Sequence, residues 1–463
     1  VSMSASSTSS QTTASLVTLK AHDVWFFRNS KPFGSGAATS ALAETTKLPM
    51  PSVVFGAART ALGETLEGDW SHYYDGSLAG AVKRQRLGPP EIDPSDGSAW
   101  PASAVRLSGV LPARWFGDWT RAEPLFPVPM FVTVRKAATF ETSSDASDNV
   151  RLAQPSDHDV IGFVGDDQGL RPVLTPITSR DTLESPFVGK PATGWLQRDD
   201  FVALACGQSP HGDLTERLID ESEFAETETR VGIARDNHRR TVQQGLLYQI
   251  QVDRWRTLSQ SDNAPGYGLM ARVENADADE LATSSAWRLG GESRWAWAAV
   301  ARDDSEQPWL NAKERSLILD AIRAHRRWWM TLASPAVFDY GWRPSWIQIR
   351  PGENRSSLEA IWPNDADGTP LGQLVGLLLK APQTQSGWDI AHKRPKRICR
   401  MAPIGAVWFF EFNDAMSDQV VESALTVLDR HLQGRCIADR QAHAGYGLAF
   451  VGAWSGSSAR STN

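Results

Sequence analysis

Residues 387–454 decide the reading of this chain: GWDIAHKRPKRICRMAPIGAVWFFEF (387–412), then SDQVVESALTVLDRHLQG (417–434), then GYGLAFVGAW (445–454). Residues 404–412 are apolar and aromatic, bounded by Pro403 and by Asn413-Asp414, as in a buried strand. Ser417 is placed to cap a helix. Val420, Val421, Ala424, Leu425, Leu428 and Leu432 follow at helical spacing, and Gly434 supplies a stop. Gly445, Tyr446 and Gly447 lead into a last apolar strand, 448–451. Strand, helix, glycine loop and strand make half of a ferredoxin-like unit. Glycines beside a sheet let a second backbone approach, because no Cβ intervenes. Lys393, Arg394, Lys396, Arg397 and Arg400 place five cations in eight positions. A Gly-Tyr-Gly alone also suits a hairpin turn, and a basic run alone a solvated face. Together, in a strand–helix–strand setting, they point to a phosphate chain as ligand.

The N-terminal part has the same plan. Residues 16–21 and 24–27 read as strand, and a helix follows from Pro51-Ser52 with Val54, Ala58, Ala61, Leu62 and Leu66 on one side. Ser52 is expected to cap it. Gly56 and Gly63 weaken it by up to ~1 kcal/mol each, which points to close contact with a neighbouring backbone. The expected architecture is α+β: two ferredoxin-like, RRM-like domains with long insertions. Residues 1–14 are Ser/Thr-rich and read as a disordered tail, not a signal peptide. The first domain is expected over 15–230 and the second, with the glycine-rich loop, over 231–463.

Bulk properties narrow the function. The chain has 463 residues, a formal net charge of −7, and ordinary apolar and charged fractions of 41% and 22%. That balance argues against an autonomous nonspecific nucleic-acid coat but allows a local basic groove. Cys206, Cys399 and Cys436 are widely spaced, with no zinc-ligand pattern, and fit a reducing compartment. No apolar run reaches the roughly 20 residues that span a bilayer. The expected location is cytoplasmic, and no cofactor is called for. Nineteen tryptophans are an excess that favours sticky interfaces.

Between these ends the reading is coarser. Residues 105–111, 131–134 and 201–205 read as strands, and 139–159 as a mobile polar loop. Residues 213–228 hold seven acids and one arginine, as in a solvated segment. Residues 229–234 and 246–252 read as paired strands around a basic connection. Glycines 290 and 291 mark a turn before a strand over 295–300, with Glu292 and Arg294 as an internal ion pair. Residues 313–332 read as one amphipathic helix with Leu317, Ala321, Ala324, Trp328 and Leu332 on its apolar face. Residues 371–380 read as a shorter helix.

Six phrases in order carry a resemblance: DVWFFRNSKPF (23–33), LPMPSVVFGAARTALG (48–63), RVGIARDNHRRTVQQGLLY (230–248), RLGGESR (288–294), the 387–410 run and GYGLAFVGAW (445–454). They resemble the RAMP proteins of CRISPR systems, and more narrowly the family of subunit three of the type III-B Cmr complex. Subunit four of the type III-A Csm complexes is similar, and the WDIAHKRPKR phrase favours Cmr. Residues 64–101 and 139–160 look like insertions on the family pattern. The resemblance implies a noncatalytic subunit of an RNA-guided antiviral effector. It implies contact with the 5′ tag of the crRNA, a place between the large polymerase-like subunit and the backbone RAMP subunit, and indirect contact with target RNA. The family's glycine-rich loop falls on Gly445, Tyr446 and Gly447, and its first-helix motif on residues 52–59.

Single-stranded RNA needs cations for phosphates and planes for bases. Lys393, Arg394, Lys396 and Arg397 supply the first, and the helix start at Ser52 adds N–H groups and a favourable dipole. Arg59 is expected to face solvent or a ligand, with an ion pair as the other reading. Tyr446 and Trp388 are stacking candidates, with core filling as the alternative. Arg235, Asn237, His238, Arg239 and Arg240 form a second basic patch, or else a solvated hairpin. The rival activity is a metal-independent endoribonuclease with His22 as general base and Lys47 and His443 as helpers. A pure assembly scaffold is the third reading. No GxxxxGK[ST], HExxH or GxSxG occurs.

Overall fold

A computed structural model of the chain describes residues 13–31, 42–91, 100–135, 150–156, 170–175, 189–209, 214–236, 238–239, 241–257, 264–305, 307–351, 356–363, 368–389 and 393–455. The fold is mixed α/β and mostly strand, organised on two large antiparallel sheets. The first has six strands in the order Ala286–Arg288, Trp295–Arg302, Ala14–Ala21, Gly266–Glu274, Arg106–Trp115, Glu123–Pro124. The second has seven, in the order Ile347–Arg350, Ser357–Trp362, Thr369–Leu378, Val407–Glu411, Arg327–Leu332, Leu448–Ala453, Arg435–Cys436. One continuous apolar core runs through both.

Alternation explains the first sheet. Val17, Leu19 and Ala21 are buried on one face of the opening strand, where the helices Pro51–Thr65 and Ala278–Ala282 pack. The first helix presents Val54, Phe55, Ala58 and Leu62 to that core. It is capped two residues earlier than expected: Met50, not Ser52, is the N-cap and Pro51 sits in the first turn, where its missing N–H costs nothing. Ser52 is therefore inside the helix and does not cap it. Neither glycine meets a neighbouring backbone as expected: at Gly63 a Cβ would lie 2.4 Å from the Trp70 side-chain ring, and Gly56 has open space. The run Lys83 to Arg86, reading KRQR, is structural in part. Lys83 is buried and donates to the carbonyls of Gly63 and Leu66, which closes the helix end.

The second sheet is built on tryptophan. Trp328 stacks on Phe410 at 4.0 Å, and its Nε1–H donates to Leu371 O at 2.8 Å. Trp329 donates to Ala453 O at 2.9 Å and lies over Gly452, which has no Cβ to obstruct the ring. Most described tryptophans thus fill the core rather than interfaces. Among the described residues, Trp295 and Trp297 are the ones left exposed.

Residues 24–27 are not a strand but hold a single bridge, Trp25 to Asp253, and three further elements differ from the sequence reading. Residues 313–332 are not one helix. The helix Ala312–His325 ends where Arg326 adopts φ +50, and Arg327–Leu332 is an interior strand of the second sheet. Ile318 and Ile322 are the helix's buried positions, while Leu317 is exposed. Thr369–Leu378 is a strand, because its apolar run is sandwiched between Ser357–Trp362 and Val407–Glu411. Arg198–Ala205 is a helix, with Phe201 and Leu204 buried one turn apart. The acidic segment resolves into the short helix Glu221–Phe224 with a capping box at Asp220, followed by the long hairpin Ala225–Asp236 and Thr241–Trp255. The strands at 407–411 and 448–453, the Ser417 cap and the Glu292–Arg294 pair (3.1 Å) are as read. Arg230 lies inside the first strand of the long hairpin, and strands as late as Trp295–Arg302 join the first sheet. The loop at 139–159 lies largely outside the described residues, and so do residues 1–12. No helix among the described residues is long and apolar enough to cross a membrane.

Candidate nucleic-acid interface

The glycine-rich loop, the first helix and the base of the basic segment converge on one point. The Tyr446 hydroxyl donates to Ser52 Oγ at 2.9 Å, and Gln385 Nε2 donates to the same oxygen at 3.0 Å. Gln385 belongs to the strand Gln383–Gln385, which pairs with Cys399–Met401. Beyond that pairing comes a second antiparallel pair, Trp388–Asp389 with Arg394–Pro395, so residues 383–389 and 393–401 form an arm. Lys393, Arg394, Lys396 and Arg397 are all exposed near its tip, and Arg400 is exposed at its base. Lys393 turns the chain at φ +51. Thr384 at the arm's base meets Ser30 across 2.6 Å. Thr45, near that loop, and Lys47 are in turn tied to the long hairpin through Asp253.

The glycine loop itself is closed. Tyr446 is 0% exposed, so its ring cannot stack on a base here, and of its two readings core filling is the one observed. Burial pushes its phenol up to about 12. Gly445 and Gly447 hold φ values of +91 and +76, and added Cβ atoms would meet Leu107 Cδ2 at 2.7 Å and Ala438 N at 2.5 Å. The close backbone approach those glycines permit is to this chain's own residues. Ser334 Oγ completes the corner, donating to Gly445 O and accepting from Leu448 N, both at 2.8 Å. The adjacent cleft, lined by Leu48, Pro51, Leu111, Leu269, Pro335 and Ile404, is apolar apart from that committed serine.

Arg59 also departs from expectation. It is buried, caged by Phe55, Trp100 and Tyr73 with its guanidinium 5.4, 5.5 and 5.7 Å from their ring centroids. It donates to Tyr73 Oη and to Pro89 O. Burial pushes its guanidinium down to about 10. Two of the three rings, Tyr73 and Trp100, come from the insertion, which carries no local signal linking it to the helix.

The second basic patch is partly visible. His238 and Arg239 are exposed at the tip of the long hairpin, and their N–H groups donate to Asp236 Oδ1 at 2.9 and 3.0 Å. Asn237, Arg240 and the side chains of Arg235 and Trp388 lie outside the described residues. The three residues of the nuclease reading occupy separate settings. His22 is exposed beside Trp297, with ring centroids 5.2 Å apart. Lys47 is spent on buried Asp253 at 2.9 Å. His443 stacks on Trp100 at 4.0 Å. Among the described residues no cluster of His, Cys, Asp and Glu could hold a metal ion. Gln385 is the site residue that the sequence reading missed; nothing in its local pattern marks it as a partner of Ser52.

Comparison with known proteins adds a family. A family model described as "CRISPR-associated protein (Cas_Cmr3)" matches residues 17–454. No curated protein matches. Among solved structures, a chain of the type III-B Cmr-beta complex bound to cognate target RNA and AMPPnP is similar with a TM-score of 0.37, at 11% identity, covering 89% of this chain and 87% of that one. A chain of the Cmr-beta complex bound to cognate target RNA has a TM-score of 0.38, at 12% identity, covering 89% and 93%. With the family match running from the first strand to the last, the chain belongs to the Cas_Cmr3 family, the family of subunit three of the type III-B Cmr effector.

Proposed function

We propose that this chain is a noncatalytic subunit of a type III-B Cmr effector that holds the 5′ tag of the crRNA. In this reading it bridges the large polymerase-like subunit and the backbone RAMP subunit, and meets target RNA indirectly. Each large sheet is the sheet of one ferredoxin-like unit. In the first, Ala14–Ala21, Arg106–Trp115, Gly266–Glu274 and Trp295–Arg302 are strands one to four, and their spatial order four-one-three-two is that of the fold. In the second, Arg327–Leu332, Thr369–Leu378, Val407–Glu411 and Leu448–Ala453 follow the same order. In this reading the units divide after Arg302 rather than near Arg230.

The observation that carries the RNA reading is the exposed cationic arm anchored by Gln385 to Ser52. Four exposed cations cluster within five positions on a protein of net charge −7, so the arm is a local exception to the overall charge. The arm positions phosphates, and the closed Gly-Tyr-Gly corner holds its base rigid. The separate settings of His22, Lys47 and His443 favour no nuclease over this reading.

The test is a variant with Lys393, Arg394, Lys396 and Arg397 all changed to alanine. Its affinity for a labelled tag RNA should fall, and the dependence of log affinity on log salt should flatten by ~0.7 for each phosphate no longer neutralised. A variant that folds and binds with an unchanged slope rejects the arm as the tag site.

A further inference from the structure

The outward face of the first sheet holds a second set of planes and cations, remote in sequence from the arm. Along Trp295–Arg302 the side chains alternate: Ala296 is buried against the core, while Trp295 and Trp297 are 44% and 38% exposed. Register sets Trp297 beside Lys20 and Ala286, and Trp295 beside Arg288. The Arg288 guanidinium lies 5.4 Å from the Trp295 ring centroid. The His22 ring is 5.2 Å from that of Trp297, and Lys20 Nζ is 4.6 Å from the Trp119 ring. Ala299 and Ala301 continue the same face with side chains too short to rise above the sheet.

Exposed indole rings on a sheet are costly unless something covers them. The charges indicate what. Among the described residues, Lys20, His22 and Arg288 have aromatic rings as their side-chain partners, not carboxylates. The acids of the same region are engaged by other arginines: Glu292 by Arg294 at 3.1 Å, Asp303 by Arg272 at 2.7 Å and Asp304 by Arg302 at 2.7 Å. Partial burial already holds the Lys20 amine below its usual range, so an anion placed beside it would gain a poorly solvated cation. A covering partner therefore has to be flat and anionic. Those are the attributes of unpaired nucleotides, and sheet-borne aromatic rings are a general platform for them.

We propose that this face binds a short single-stranded RNA segment, with bases stacked on Trp295 and Trp297 and phosphates on Lys20 and Arg288. The proposal deepens and rests on the RNA-subunit reading, but stands on residues outside the arm. A protein partner is the competing occupant, and the carboxylate pairing above disfavours a basic one while the cations disfavour a purely apolar one.

The experiment titrates the full chain with a short oligouridylate, following tryptophan fluorescence and the polarisation of a dye on the RNA. The native chain is expected to show quenching on binding. The Trp295→Ala/Trp297→Ala variant should bind about 10-fold or more weakly with its salt slope retained, because stacking is removed while the phosphates stay neutralised. Trp295→Phe/Trp297→Phe should recover most of the affinity, which separates stacking from misfolding. The arm variant should keep the quenching while its slope falls, so failure of the tag reading and failure of this one are distinguishable. Unchanged affinity in the alanine pair overturns the proposal. So does an alanine pair that binds RNA normally but no longer joins the other subunits, which would assign the face to a protein.

Discussion

The hydroxyl of Tyr446 reaches Ser52 Oγ at 2.9 Å across a sequence separation of 394 residues. One hydrogen bond joins the loop before the last strand to the first turn of the first helix, and Gln385 brings the base of the arm to the same atom. The corner is thus a structural rivet between the two sheets, and the exposed cations of the arm lie farther out.

Replacing Tyr446 with phenylalanine should cost about 1 kcal/mol of stability, the net worth of one hydrogen bond, and leave tag affinity unchanged. The same variant carries a pH signature. A phenol near 10 in the unfolded chain and about 12 in the folded one stabilises the fold fully below pH 10. That contribution is lost as pH rises from about 10 to about 12. Urea midpoints across that range should fall less steeply for Tyr446→Phe than for the native chain.

Asp253 is 0% exposed and takes hydrogen bonds from Lys47 at 2.9 Å, Thr227 at 2.7 Å and Thr45 at 3.0 Å. Lys47→Ala leaves a buried carboxylate without its cation and should destabilise by about 3 kcal/mol. Lys47→Met combined with Asp253→Leu should recover most of that loss. A double variant as unstable as the single one would show that the pair is not the source. Denaturant unfolding measures both.

Arg59→Ala removes a guanidinium from a cage of three rings and strands the Pro89 carbonyl. The expected loss is about 2–4 kcal/mol, from the cavity and the unmet acceptor together. The salt slope of tag binding should be untouched, since the side chain is buried. A fall in slope without a fall in stability would return Arg59 to the RNA surface.

Gly447→Ala should be among the most damaging single changes. The residue sits at φ +76 with Ala438 N where a Cβ would go, so backbone strain and a clash combine, and a loss of about 2 kcal/mol or more is expected. Gly56→Ala, inside the first helix with open space around it, should instead stabilise by up to ~1 kcal/mol. Thermal melts of the two variants should move in opposite directions.

Local periodicity made much of the fold readable. The strand at 407–411 and the Ser417 cap follow from spacing and capping, and the first helix from spacing, though not its cap. The errors arose where neighbours decide. Residues 369–378 are apolar on both sides because strands flank them, and a continuous apolar run looks alike in a buried strand or helix. The helix ending at His325 turns on Arg326 in a left-handed conformation, a position where glycine would have flagged the break. The arm's cations were legible as a run. Arg59 was not, because Tyr73 and Trp100 meet it only on folding, and the Trp295–Trp297 face needed a sheet register to bring Lys20 and Arg288 beside it.

Ala14–Ala21 is a central strand whose two hydrogen-bonded neighbours, Gly266–Glu274 and Trp295–Arg302, are made far later in the chain. During synthesis at roughly 5–20 residues per second, this apolar strand waits on the order of ten to sixty seconds with both edges open. Chaperone dependence of the nascent chain should end only once Trp295–Arg302 has left the ribosome, and shortened messages stopping before that point should yield aggregates rather than a soluble first unit.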